Sequence, residues 1–247
     1  MARIKLSGII VVLAALAEMV VPFLLFTDGF NGSPMGEASY DIPNDAVPAG
    51  YAFSIWWPIF LFALFSAVSA ARPAHRDDPG FARIIWWMAV TYAGAALWMV
   101  VARYGPYWAT VPIIWFMLVC VVTAFLRAVP FATTPLWQRG IVPGLALYAG
   151  WLTAAAWINA ADVLPDYGFG PFGLSPQAFG ACVIVAIGLT ALAILRASHG
   201  NLVYAGTLVW ALVAIIVKAA AMNAVAITAL VALGVVVLAT ALIRGRA

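Results

Sequence analysis

The sequence predicts an all-α integral membrane protein, a helical bundle of about eight transmembrane helices. Of its 247 residues, 66% are hydrophobic and only 9% are charged. A membrane-spanning helix needs about 20 apolar residues to cross about 30 Å of hydrocarbon, and stretches of this kind recur along the whole chain. Lipid offers the backbone no hydrogen-bond partners, so such stretches must be helical. A β-barrel would need short segments of alternating hydrophobicity, which the sequence lacks.

Eight apolar stretches predict the eight helices. They are Leu6–Phe26, Ala52–Ala71, Ile84–Val101, Thr110–Leu126, Val142–Val163, Phe179–Leu195, Leu202–Val217 and Met222–Ile243. The first stretch follows Arg3 and Lys5, as the apolar core of a secretory signal would. We interpret it as a retained helix, because it is long enough to span, contains Glu18 and is not followed by a small-residue cleavage pattern.

Composition divides the chain into three parts. Ten of the eleven tryptophans lie between Trp56 and Trp157, and the last three spans contain Trp210 alone. Glycine, proline and aspartate recur through residues 162–177, where we expect no regular helix. The sequence therefore predicts a five-helix transmembrane domain at residues 1–161, an outer loop at 162–177 and three additional helices at 178–247.

The basic residues predict the orientation of the bundle. They lie at both termini and in the loops after the second, fourth and sixth spans, whereas the opposite loops carry most of the acidic residues. The basic residues of this group are Arg3, Lys5, Arg72, Arg76, Arg83, Arg127, Arg139, Arg196, Arg244 and Arg246. Short basic loops stay on the cytoplasmic side, so both termini are predicted to be cytoplasmic, in a bacterial inner membrane. The net charge of +3 reflects this topology, and we expect no nucleic-acid partner.

Two stripes of mainly aromatic residues predict a binding surface. Residues spaced by three and four share one face of a helix, and such series occur in the second and fifth spans. The series are Phe53, Trp56, Trp57 and Phe60, and Tyr148, Trp151, Ala155 and Asn159. Indole and phenol rings offer flat apolar surfaces with one polar edge, which suits a planar ligand with few heteroatoms. We expect the two stripes to face each other, with the outer loops at Thr27–Gly50 and 162–177 forming a lid.

These residues also have structural interpretations. Tryptophan is enriched at membrane interfaces, and the tryptophans near span ends that we interpret as anchors are Trp86, Trp87, Trp108 and Trp137. Those further inside, which packing or ligand contact must explain, are Trp56, Trp98, Trp115 and Trp151. An unpaired amide is costly in a membrane, so Asn159 either bonds to a neighbouring helix or contacts a ligand.

The stripes also carry a resemblance to a known family. The loop-to-helix motif of the TspO/MBR family, the translocator proteins or tryptophan-rich sensory proteins, resembles Pro48, Gly50, Tyr51, Phe53, Trp56, Ile59 and Phe60. A second motif, in the family's fifth helix, resembles Tyr148, Trp151, Ala155 and Asn159. Trp98 and Trp108 are similar to the tryptophans that end the family's third helix and open its fourth. The ligand-binding residues that the resemblance implies are Tyr51, Phe53, Trp56, Phe60, Trp98, Trp108, Tyr148, Trp151, Ala155 and Asn159.

The sequence departs from the family pattern in its polar residues. Thr91 and Ala95 stand where the family's third helix usually has glutamine and asparagine, and Leu147 replaces the proline of the fifth-helix motif. The motif resemblance ends at Asn159. The chain therefore resembles a longer, divergent branch of the family with three additional C-terminal helices, and the identity of its ligand stays open.

Three functions are compatible with these features. The resemblance implies a membrane receptor or carrier, a sensor or transporter, that binds a planar hydrophobic molecule within the bundle, such as a tetrapyrrole or a sterol-like or carotenoid-like lipid. The alternatives are a structural or assembly subunit of a larger membrane complex, and an enzyme that degrades a bound tetrapyrrole. We expect no enzyme, because no catalytic motif is recognised. His75 and His199 lack ligand-spaced partners, so no metal is expected. A homodimer or a partner in a membrane complex is compatible with the sequence.

Two further polar residues lie within or beside predicted spans. Glu18 is an acid inside the first span, where an ionisable residue indicates a functional role. It could pair with Lys218 or extend to the outer surface. Asn223, at the start of the last span, is expected to cap the helix or to make a packing contact.

Overall fold

The structure is a computed structural model that describes residues 5–25, 46–170, 172–219 and 223–246. These residues form eight α-helices, which confirms the predicted all-α bundle. The helices are α1 (Leu6–Leu25), α2 (Trp56–Ala71), α3 (Pro79–Tyr104), α4 (Thr110–Ala128), α5 (Val142–Val163), α6 (Pro176–Ala197), α7 (Leu202–Lys218) and α8 (Ala224–Arg244). Most of the predicted lid segment Thr27–Gly50 lies outside the described residues.

Within the described residues, seven helical segments are long and apolar enough to cross a membrane, and the chain is an integral membrane protein. The 16 residues of α2 reach this length because a 3-10 helix at Gly50–Ile55 leads directly into it, which makes a segment of 22 residues. The eighth helix, α7, has 17 residues. At 1.5 Å per residue it is about 25 Å long, at the lower limit for a span.

Polar caps fix where several helices begin. Asp78 accepts a hydrogen bond from the Gly80 N–H ahead of α3, and Ser175 accepts one from the Ala178 N–H ahead of α6. The side chain of Asn223 accepts the Ala226 N–H, which confirms its expected role as a cap. Such caps satisfy N–H groups that have no acceptor inside the helix, each contributing about 1 kcal/mol.

The predicted loop at 162–177 is shorter than expected. Its first two residues belong to α5, Leu164–Tyr167 form a 3-10 helix, and Pro176 already begins α6. Proline in the first turn of a helix loses no hydrogen bond, because its missing N–H would have no acceptor there. The proline-rich composition of residues 162–177 therefore predicted a loop longer than the observed one.

The chain divides into two compact units. The first comprises the described residues within Met1–Thr27 and Ile55–Ala149, and the second those within Asp28–Ser54 and Gly150–Ala247. This division differs from the one that composition predicts at residues 161 and 178. The difference arises because residues 46–54 and the second half of α5 pack with α6 and α7.

In the first unit, α1 packs against α2 and α3, and α3 packs against α4. Small residues allow close helix crossings there. A β-carbon added at Gly94 of α3 would lie 2.7 Å from Met117 Cγ of α4, and one added at Gly144 of α5 would lie 2.7 Å from Phe62 Cβ of α2. Close approach through glycine is typical of membrane helices, where packing rather than the hydrophobic effect drives association.

In the second unit, α5 crosses α7 at Gly150. A β-carbon added at Gly150 would lie 2.7 Å from Thr207 Cβ and 3.1 Å from the backbone oxygen of Tyr204. One turn further along α5, the hydroxyl groups of Thr153 and Tyr204 are 3.0 Å apart and share a buried hydrogen bond. The crossing therefore combines tight packing with a polar contact between the two helices.

We predict that Gly150→Ala lowers the free energy of unfolding by about 1–3 kcal/mol, because the added methyl group forces α5 and α7 apart. The matched control is Gly206→Ala in α7, since nothing lies within 4 Å of a β-carbon added there. That variant should be neutral or more stable by up to about 1 kcal/mol, since alanine favours the helix. Denaturant or thermal unfolding in detergent measures both, and equal effects would contradict a close crossing at Gly150.

Candidate functional site

The first unit encloses a buried polar cluster centred on Glu18. This residue of α1 is 1% exposed, so the expectation that it could extend to the surface is wrong. The Tyr148 hydroxyl of α5 donates a hydrogen bond of 3.0 Å to Glu18 Oε2. The side chains of Tyr92 in α3 and Ser66 in α2 share a second hydrogen bond. Four helices therefore each contribute one buried polar side chain.

Aromatic rings surround this cluster. Tyr92 and Tyr148 are nearly parallel, with ring centroids 6.2 Å apart and planes 8° apart. Trp56 of α2 meets Tyr148 edge to face at 5.9 Å and stacks on Phe60 at 5.5 Å. These separations are those of favourable aromatic pairs. Tyr148 is buried, but Trp56 is only half-buried, so part of its indole stays accessible.

One oxygen of Glu18 has no hydrogen-bond partner in the part of the chain that the structure describes. Its Oε1 atom is buried and has no hydrogen bond to any of the described residues. Burying a polar group without a hydrogen bond costs about 1–3 kcal/mol, and burying a charge costs more. The cluster therefore contains a hydrogen-bond acceptor that a donor from outside the described chain would satisfy.

In the second unit, the predicted stripe residues make their own contacts. Phe53 meets Trp151 edge to face at 5.7 Å. Tyr51 packs edge to face on Trp210 of α7 at 5.3 Å, and the Trp210 Nε1–H donates to the Ala52 carbonyl at 3.1 Å. These contacts fix the 3-10 turn against α7.

Asn159 lies two turns after Trp151 on the same face of α5, with Ala155 between them. Its Oδ1 atom is buried and has no hydrogen-bond partner among the described residues. Of the two interpretations from the sequence, a bond to a neighbouring helix is thus not observed in this part of the chain. The second unit therefore also contains a buried acceptor, on the α5 face that carries Trp151.

The remaining predicted residues differ in burial. Trp98 of α3 is half-buried, and its Nε1 atom is buried without a hydrogen bond to a described residue. Trp108 is 52% exposed in a short 3-10 helix ahead of α4. This exposure at a helix start agrees with the anchor interpretation of Trp108.

Two other tryptophans lie elsewhere than their sequence pattern indicates. Trp57 does not share the stripe of Trp56 and Phe60, because it is 56% exposed and packs on Phe23 of α1 at 5.6 Å. Trp137 is not an exposed anchor but is 3% exposed. Its Nε1–H donates to Asp78 Oδ2 at 3.2 Å.

The two stripes do meet within the units. Phe53 contacts Trp151 in the second unit, and Trp56 contacts Tyr148 in the first. The expectation that the stripe of the second span faces that of the fifth is confirmed by these two pairs.

Comparison with protein families supports the resemblance carried by these residues. The family described as TSPO-like protein matches residues 8–242. The chain belongs to this family. The match extends well beyond Asn159, so α6, α7 and α8 are part of what the TSPO-like match covers. Neither the curated proteins nor the solved structures gave a significant match.

In this TSPO-like chain, the sequence motifs predicted Tyr148 as a site residue but did not predict the residues that it contacts. Glu18, Ser66 and Tyr92 were absent from the predicted site, although Glu18 is an acid in the midst of an apolar span. That position was the available signal. The partner could not be found from spacing, because Glu18 and Tyr148 are 130 residues apart.

We predict that Tyr148→Phe destabilises the protein by about 1–3 kcal/mol, because the buried Glu18 carboxyl group loses its hydrogen bond. In a Glu18→Leu background the same substitution should cost little, so a double-mutant cycle should give a coupling energy of similar size. Tyr104→Phe is the control, since Tyr104 is 72% exposed. Unfolding in detergent measures all variants, and additive effects of the Glu18 and Tyr148 substitutions would argue against the contact.

Proposed function

We propose that the protein is a membrane receptor or carrier that binds a planar hydrophobic small molecule, such as a tetrapyrrole or a sterol-like lipid. The observation that carries this proposal is the buried Glu18 Oε1 atom without a partner among the described residues, within an aromatic cluster. Family membership supports the same class, since it indicates a ligand-binding or sensory membrane protein. From the distribution of basic residues we also propose that both termini are cytoplasmic.

The chemistry of the cluster narrows the ligand class. The accessible part of the Trp56 indole offers a flat apolar surface, and Glu18 offers an acceptor. A ligand that fits both needs a flat or rigid apolar body and one N–H or O–H group. Tetrapyrroles have pyrrole N–H groups and sterols have a hydroxyl group, whereas a hydrocarbon carotenoid has neither. We therefore favour a ligand with a donor.

Recognition rather than catalysis suits the polar groups of the cluster. They comprise one carboxyl group, one aliphatic hydroxyl and two phenols, and two of the contacts they make are hydrogen bonds to one another. Such groups orient a bound molecule. We propose on this basis that the protein acts by binding, as a sensor or a carrier, and that the bound molecule leaves chemically unchanged.

Binding of protoporphyrin to the purified protein in detergent should be saturable and should weaken about tenfold in Glu18→Gln. The amide keeps the shape and the bond from Tyr148 but can place an N–H₂ donor where the ligand donor would lie, and a hydrogen bond of this strength corresponds to about a factor of ten. Ligand absorbance and quenching of tryptophan fluorescence measure the affinity. β-Carotene, which has no donor, should be insensitive to the substitution.

Trp56→Phe should also weaken protoporphyrin binding, because a smaller ring covers less of the ligand. The matched control is Trp108→Phe at the exposed 3-10 helix, which should bind as the unsubstituted protein does. Quenching no greater than that of empty detergent micelles would overturn the proposal. A loss in Asn159→Leu with no change in Glu18→Gln would instead assign the polar contact to the second unit.

A further inference from the structure

A cavity of about 230 Å³ lies at the end of the first unit where α1 begins, α2 ends and α3 begins. It is distinct from the Glu18 cluster, with which it shares no residue. Its lining includes Lys5, Arg72, Arg76, Phe81, Ile85 and Trp86. Pockets for drug-sized ligands measure roughly 300–1,000 Å³, so this cavity suits a smaller group.

The polar part of the lining is basic. Lys5, Arg72 and Arg76 contribute three positive charges, and none of the described residues that line the cavity is acidic. Among the described residues, neither arginine side chain has a hydrogen bond or an ion pair, so both guanidinium groups have free donors. The cavity is therefore suited to an anion.

Two contacts position the Lys5 side chain at this cavity. Lys5 Nζ donates to the Arg76 carbonyl at 2.8 Å and lies 3.5 Å from the Asp77 carboxylate, which is 90% exposed. The nearby Asp78 is engaged by the Gly80 N–H and by the Trp137 indole. Lys5 and Ser7, at the start of α1, line the cavity, and a helix N-terminus favours an anion.

The other part of the lining is apolar and continuous with an interfacial residue. Ala70, Phe81 and Ile85 line the cavity, and Trp86 beside them is 55% exposed. Tryptophans of membrane proteins are enriched at the level of the lipid headgroups. A ligand of matching chemistry has an anionic head and an apolar continuation.

We propose that this cavity binds the headgroup phosphate of an anionic phospholipid. Arg72 and Arg76 hold the phosphate oxygens, Lys5 adds a third charge, and the glycerol and acyl region lies along Phe81, Ile85 and Trp86. Basic pockets between helices on the cytoplasmic side of a membrane are suited to such lipids. A free phosphate would use the arginines but gain nothing from the apolar half.

Native mass spectrometry of the full chain tests this proposal. The protein is extracted in mild detergent, incubated with equal amounts of phosphatidylglycerol and phosphatidylcholine, and the lipid that stays bound is identified. We expect one phosphatidylglycerol to be retained. Arg72→Gln combined with Arg76→Gln should reduce its retention at least about tenfold, since two charge-assisted contacts are lost.

The matched control is Arg83→Gln combined with Arg139→Gln. It removes the same charge from the same predicted membrane face, but neither residue lines the cavity. Retention should be unchanged there, with unfolding midpoints confirming that both double variants fold. Equal losses in the two double variants would show unspecific attraction and overturn the site. If inorganic phosphate raised the unfolding midpoint of the protein as much as phosphatidylglycerol does, the choice of a lipid would be overturned. Failure of the unsubstituted protein to retain phosphatidylglycerol would overturn it as well.

Discussion

The fold depends on one constraint, which is that a polar group inside the membrane must find its partner within the protein, because hydrocarbon supplies none. Glu18 shows how far this constraint reaches. Its carboxyl group lies about 18 Å along α1 from Leu6, at 1.5 Å per residue, and its hydrogen bond comes from Tyr148, 130 residues later in the chain. That bond ties α1 to α5 in the first unit, and the stacked ring of Tyr92 adds α3.

The same constraint applies to the tryptophans, because each indole has one N–H group that needs a hydrogen-bond acceptor when it is buried. Trp157 donates to Thr190, Trp210 to the Ala52 carbonyl and Trp137 to Asp78. These three therefore join helices or turns. The buried N–H of Trp98 has no acceptor among the described residues. Whether the indole N–H has an acceptor thus distinguishes a structural tryptophan from a candidate for ligand contact. The position of the tryptophan in the sequence does not make this distinction.

The helices could be predicted from the sequence because span length is set by the bilayer and does not depend on neighbours. The predicted and observed bounds of α5 are identical, and α1 begins at the predicted residue, Leu6. The errors concern tertiary partners. Trp137 has the position of an interfacial anchor in the sequence, yet it is buried, and Asp78, 59 residues away, accepts its N–H. Spacing alone placed the residues of each stripe on one face of its helix. It could not find the buried acid Glu18, which bonds to Tyr148 but belongs to neither motif.

The two proposed sites differ in the physical source of their affinity. At Glu18 a single oxygen is buried among aromatic rings, so recognition depends on the geometry of one hydrogen bond and on contact with Trp56. Buried interactions of this kind are little affected by salt. The arginines of the basic cavity are exposed, and their attraction for a phosphate is screened over about 8–10 Å at physiological salt. Raising the ionic strength should therefore weaken the phospholipid contact and leave the binding of a planar ligand almost unchanged, so that the two sites can be separated in one protein without a substitution.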